Sequence, residues 1–158
     1  MKWLVVLLAL ILCGCRTQET FETISDEPVQ QVMAAPREIS VRLPDNAVAP
    51  VLETDARQVY LSEDYEIVIE TLASGDLDAT VRSISGFDRD QLTVMETQWQ
   101  DVTRYEFVWA AAGEHGERLG RAVVLDDGSH HYCMSVLRDA DAVSQVVWRD
   151  VFGSFALI

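Results

Sequence analysis

Residues 92–137 read LTVMETQWQDVTRYEFVWAAAGEHGERLGRAVVLDDGSHHYCMSVL, and this stretch decides the fold. It holds four apolar or alternating runs, Leu92 to Trp99, Thr103 to Ala112, Glu117 to Leu125 and His130 to Leu137. Each is bounded by turn-forming residues: Gln100-Asp101, Gly113 to Gly116, and Asp126-Asp127-Gly128. Runs of this length, rich in Val, Thr, Tyr, Phe and Trp, read as strands. Asp-Gly between two such runs is a strong hairpin signal. The stretch is therefore expected to be a four-stranded antiparallel meander.

Working towards the N-terminus, Asp76 is a good helix N-cap, Leu77, Val81 and Ile84 keep helical spacing, and Gly86 stands where a glycine stop belongs. Before that helix, Arg57 to Leu61 and Glu66 to Leu72 read as two strands joined by a turn at Ser62 to Tyr65. Ile39, Val41 and Leu43 alternate with Ser40 and Arg42, a half-buried strand ended by Pro44. Working the other way, Asp139-Ala140-Asp141 is expected to open a closing helix. Its stripe would be Val143, Val146, Val147, Val151, Phe152 and Phe155. Strands, helix, strands, helix with short hairpins make an α+β domain around an antiparallel sheet of six or seven strands.

Upstream of residue 37 the composition changes. Lys2 is followed by an unbroken apolar run from Trp3 to Leu12. Ten residues make roughly 15 Å of helix against a hydrocarbon core of about 30 Å, too short for a stable span. A positive start, a short apolar run and small residues form the pattern of a signal peptide. Arg16 to Pro36 is polar, holds Pro28 and Pro36 and shows no sustained apolar period, so it reads as a flexible tether. A chain of that length spans roughly 25 Å root-mean-square. The expected organisation is a signal peptide over residues 1–14, a tether over 15–36 and a folded domain over 37–158.

Leu12-Cys13-Gly14-Cys15 resembles the bacterial lipobox. The resemblance implies acylation of the Cys15 thiol, cleavage after Gly14 and attachment to the outside face of a membrane by lipid. Residues 37–157 resemble the PsbP/DcrB-type domains. The resemblance rests on Ile39-Ser40-Val41-Arg42-Leu43-Pro44 at the start, the meander, and Val147 to Phe155 at the close. Asp45-Asn46-Ala47 stands where members of that family usually carry a tryptophan or glycine. The resemblance implies an α/β/α sandwich that serves as a binding or assembly scaffold.

The chain carries 26 Asp and Glu against 12 Lys and Arg, a net charge of −14, and Lys2 is its only lysine. Such a domain is repelled by nucleic acid and by anionic headgroups. His130 and His131 stand near Asp126 and Asp127, but neighbours on a strand point to opposite faces and zinc wants three or four ligands. Cys133 has His131 two residues before it, on the same face; with Cys13 removed and Cys15 acylated it reads as a buried thiol without a disulfide partner. The carboxylates Glu53, Asp55, Glu63, Asp64, Asp88, Asp90, Asp126 and Asp127 lack calcium-loop spacing. Trp99, Trp109 and Trp148 are core or rim aromatics, or the lining of a ligand groove. No nucleophile, base and stabiliser set is visible. The expected protein is a membrane-anchored, extracytoplasmic binding or assembly module without catalytic, cofactor or metal residues, held through Cys15 and facing an envelope protein partner. The alternatives are a tethered small hydrolase working from the hairpin loops and a carrier of a small apolar ligand bound between sheet and helix.

Overall fold

The structure, a computed structural model, describes residues 34–113, 116–141 and 148–158. The signal-peptide and lipobox readings, most of the tether, and Val143, Val146 and Val147 lie outside the described residues.

In chain order the elements are β1 (Ile39–Ser40), β2 (Leu52–Glu53), β3 (Arg57–Leu61), β4 (Tyr65–Ala73), α1 (Leu77–Ser85) and a 3-10 turn (Arg89–Gln91). Then come β5 (Met95–Trp99), β6 (Val102–Gly113), β7 (Gly116–Asp126), β8 (His130–Asp139), α2 (Trp148–Ser154) and β9 (Ala156–Leu157). Seven strands form one antiparallel sheet in the order β2-β3-β4-β8-β7-β6-β5, and β1 pairs with β9 in a separate ribbon. The domain is α+β. The chain leaves β4 in the middle of the sheet, passes through α1, and re-enters at the β5 edge. Three hairpin steps then bring β8 back to β4, where nine residue pairs close the sheet from Tyr65↔Arg138 to Ala73↔His130.

Alternation along the strands gives the sheet two apolar faces. On the first, Tyr65, Ile67 and Ile69 of β4, Val123 and Leu125 of β7, and Tyr132, Met134 and Val136 of β8 pack with Val151, Phe152 and Phe155. Ile39, Val41 and Leu43 from the N-terminal segment complete that layer. On the second, Val124 of β7, Cys133 of β8, and Phe107 and Trp109 of β6 pack with Val81 of α1 and with Leu92 and Val94. One described helix therefore lies against each face.

Local signals explain α1 well. The Asp76 side chain accepts from the Asp78 amide at 3.0 Å, and Gly86 ends the helix at φ 79°, a left-handed conformation that suits glycine.

Three boundaries differ from the sequence reading. The strand expected over Ile39 to Leu43 pairs only at Ile39–Ser40. Beyond it the Arg42 amide donates to Ser154 Oγ at 2.8 Å, and Val41 and Leu43 sink into the core instead of continuing a ladder. The strand expected from Leu92 starts at Met95, because Leu92 and Val94 fold onto the second face. Asp139 does not open a helix: it is the last residue of β8, and Ala140 donates to the Glu117 carbonyl at 2.8 Å. The described part of the closing helix is Trp148–Ser154, with Phe155 just past its end. The two-residue strands β2 and β9 and the 3-10 turn carry too little periodicity to be read from sequence.

Candidate functional site

The first face is not evenly covered. α2 and the N-terminal segment pack over β4, β8 and part of β7, while Val108 and Ala110 of β6 remain exposed. Between this bare floor and α2 runs an open groove of about 580 Å³. Its floor comes from Val108 and Ala110 of β6, Leu119 and Arg121 of β7, and Val136 and Arg138 of β8. Trp148 and Phe152 of α2 form the wall.

Two arginines face this apolar space, and they differ. Arg121 donates to Glu106 Oε2 at 2.8 Å and lies 4.3 Å above the centre of the Phe152 ring. Glu106 also accepts from Arg104 Nε at 2.8 Å. Burial pushes the Glu106 carboxyl pKa up, but these two arginines outweigh it and hold the group below its usual value. Arg121 is thus largely offset by its own carboxylate. Arg138 sits opposite Tyr65 on one side and Leu119 on the other, and makes no ion pair among the described residues. Trp148 meets Tyr65 edge-on with ring centres 5.0 Å apart, and its indole N–H is buried without an acceptor among the described residues. Such an unpartnered donor costs free energy unless something satisfies it.

The hairpin residues singled out from sequence do come together, as structural ties. Asp127 Oδ1 accepts from the amides of Ser129 at 2.9 Å and His130 at 2.8 Å and from Ser129 Oγ at 2.8 Å. Its Oδ2 accepts from the Tyr132 hydroxyl at 2.9 Å, and that hydroxyl accepts from the Arg37 amide at 2.8 Å. Burial alone would raise the Asp127 pKa; the four donors overrule it and bring it down to about 2.

His130 and His131 face opposite ways. His130 lies near Tyr132, while His131 Nδ1 is 2.8 Å from Thr80 Oγ1 of α1 and its Nε2 is 3.6 Å from Asp126 Oδ2. A threonine, a histidine and an aspartate in line resemble a nucleophilic relay in outline. His131 is 1% exposed and Thr80 6%, so no substrate atom reaches the hydroxyl while α1 is docked. Cys133, 1% exposed, faces Val124 and Glu70 across the sheet. Burial, then the nearby Glu70 charge, push its thiol pKa far up, so it is a poor nucleophile.

The remaining candidates are scattered. Asp88 caps the 3-10 turn and pairs with Arg82, and Glu53 accepts from Gln58 at 3.2 Å. Asp55, Glu63 and Asp64 are exposed loop residues, and Asp90 is exposed on the 3-10 turn. Among the described residues no three His, Cys, Asp or Glu side chains gather as a metal would need. Trp148 borders the groove and Trp109 lies beneath its floor, on the other face of the sheet, whereas Trp99 is 75% exposed on β5 and does neither.

The groove residues Val108, Ala110, Leu119, Arg121 and Arg138 were not singled out from sequence. The signal was present in the parity of the strands. Arg121 keeps step with Val123 and Leu125, and Arg138 with Tyr132, Met134 and Val136, which puts two cations on an apolar face. No protein-family model matches this chain, and no curated protein matches it as a relative.

Proposed function

We propose that the protein is a membrane-anchored, non-catalytic binding module of the cell envelope, and that the groove between β6, β7, β8 and α2 is its recognition site. The carrying observation is the groove itself. A concave apolar space of about 580 Å³ with a few directed polar groups has the size and lining of ligand sites in general. The anchor half of the proposal rests on Leu12-Cys13-Gly14-Cys15 and the apolar run before it. The α+β order is compatible with the PsbP/DcrB-type resemblance, whose members act as scaffolds, although fold alone is weak evidence of function. The hydrolase alternative draws no support from Thr80, His131 and Asp126, because the hydroxyl and the imidazole are buried where α1 meets the sheet. The carrier alternative merges with the proposal, since the groove lies between sheet and closing helix.

Site-specific photocrosslinking in intact membranes tests this reading. A crosslinker at Ala110, on the groove floor, should capture one discrete adduct. The same group at Glu63, in the exposed turn before β4, should capture none. Equal capture at both positions, or none at Ala110, would remove the groove as the working site.

A further inference from the structure

We infer that the groove takes a single-chain amphiphile with an anionic head, of the fatty-acid class, its chain along Val108, Ala110 and Leu119 and its head at Arg138. The inference rests on the groove being the binding site and adds the chemistry of its occupant. Among the described residues, the charged side chains that border the groove are the guanidiniums of Arg121 and Arg138, which can only donate hydrogen bonds. A lining of donors with no side-chain acceptor selects a head rich in acceptors. Charge narrows the choice further. Arg121 is held by Glu106 and Phe152, so its charge is already engaged. Arg138 has no acidic partner among the described residues, in a chain whose net charge is −14. A carboxylate would pair with that guanidinium in a charge-assisted, two-pronged bond. The remaining lining is aliphatic or aromatic, which suits an alkyl chain and does not suit a sugar or a nucleotide.

The test uses the full chain and displacement of a fluorescent fatty acid, dansyl-undecanoate, with all amphiphiles below their micellar concentrations. Dodecanoate should displace the probe saturably at one site, and dodecanol should need at least about tenfold more. Shortening the competitor from dodecanoate to decanoate should weaken it about fourfold per methylene removed. Arg138→Gln should abolish the preference for dodecanoate over dodecanol while leaving dodecanol unchanged, and Arg138→Lys should restore part of it. Ala110→Trp, which fills the floor at an exposed position, should remove binding of both. Val108→Asp, at a residue 61% exposed and so tolerant of change, should do the same. Saturable binding without preference between the two competitors, or a preference that survives Arg138→Gln, would overturn the anionic head and leave the groove in place. Absence of saturable binding, or binding untouched by both Ala110→Trp and Val108→Asp, would overturn the groove and the ligand together.

Discussion

The indole of Trp109 on β6 lies across the backbone of Gly120, its cross-strand partner on β7, so closely that a Cβ at Gly120 would clash with it, 2.1 to 2.5 Å from three of its carbons. Glycine is required there by its neighbour, since a side chain and the indole cannot share the space. Trp109 in turn packs against Phe107 with ring centres 5.8 Å apart and borders the groove from beneath. Gly120→Ala should therefore force the tryptophan out of its rotamer and cost about 1–3 kcal/mol, the usual penalty of overpacking. A shift of the urea midpoint together with a changed Trp fluorescence maximum would show it. An unchanged midpoint would mean that the indole has room to move.

Phe155 is the last large side chain of the first-face core and is 2% exposed, although it stands three residues from Ile158. Phe155→Ala should lower stability by about 3–5 kcal/mol. Arg149, on the outer side of α2, has an 87% exposed side chain and an ion pair to its neighbour Asp150 at 3.4 Å. Arg149→Ala should change stability by less than about 0.5 kcal/mol. Paired urea titrations separate the two, and equal effects would show that α2 and Phe155 are not docked on the sheet.

Asp127 links stability to acid. Its folded pKa of about 2 lies below the ordinary 3.8, so the unfolded chain takes up the proton first as pH falls. The stabilisation is complete above about pH 4 and disappears as pH drops through 2. Asp127→Asn should begin less stable at pH 5 and lose less on acidification. Urea midpoints for both proteins at intervals from pH 5 to pH 2 give the comparison. Parallel curves would remove the hairpin carboxylate from this role.

Cys15→Ser should abolish lipid attachment, because a hydroxyl cannot form the thioether, and unprocessed precursor should accumulate. Metabolic labelling with an alkyne fatty acid reads the first effect and gel mobility the second. Full labelling of the serine variant would overturn the lipobox reading.

The meander was legible because each of its strands is long enough to show alternation, and Asp126-Asp127-Gly128 marks its last turn without help from the rest of the chain. α1 was legible for a similar reason: Asp76 and Gly86 are local signals, and their geometry needs no tertiary partner. Sequence failed where the deciding contact is distant. Arg42 turns from strand to loop because of Ser154, 112 residues away. Arg104 holds the end of α2 by donating to the carbonyls of Phe152 at 2.9 Å and Phe155 at 3.3 Å, a role that its place in a strand does not suggest. The groove was the least legible feature, because it is defined by what α2 leaves uncovered and no local run of residues encodes that.

The ribbon of β1 and β9 places Ile39 against Leu157, and the Ile158 amide donates to the Glu38 carbonyl at 2.9 Å. A pull applied through residues preceding Glu38 reaches the domain at the N-terminal end of β1. Resistance comes from the opposite end of the ribbon, where β9 joins Phe155 in the core. The two strands are thus loaded in shear, so their hydrogen bonds bear the force together and do not unzip in succession. The bonds from Arg37 to Tyr132 and from Arg42 to Ser154 flank the ribbon and share that load. A pull from the N-terminal side would thus be met first by a small clasp of two short strands and its flanking bonds.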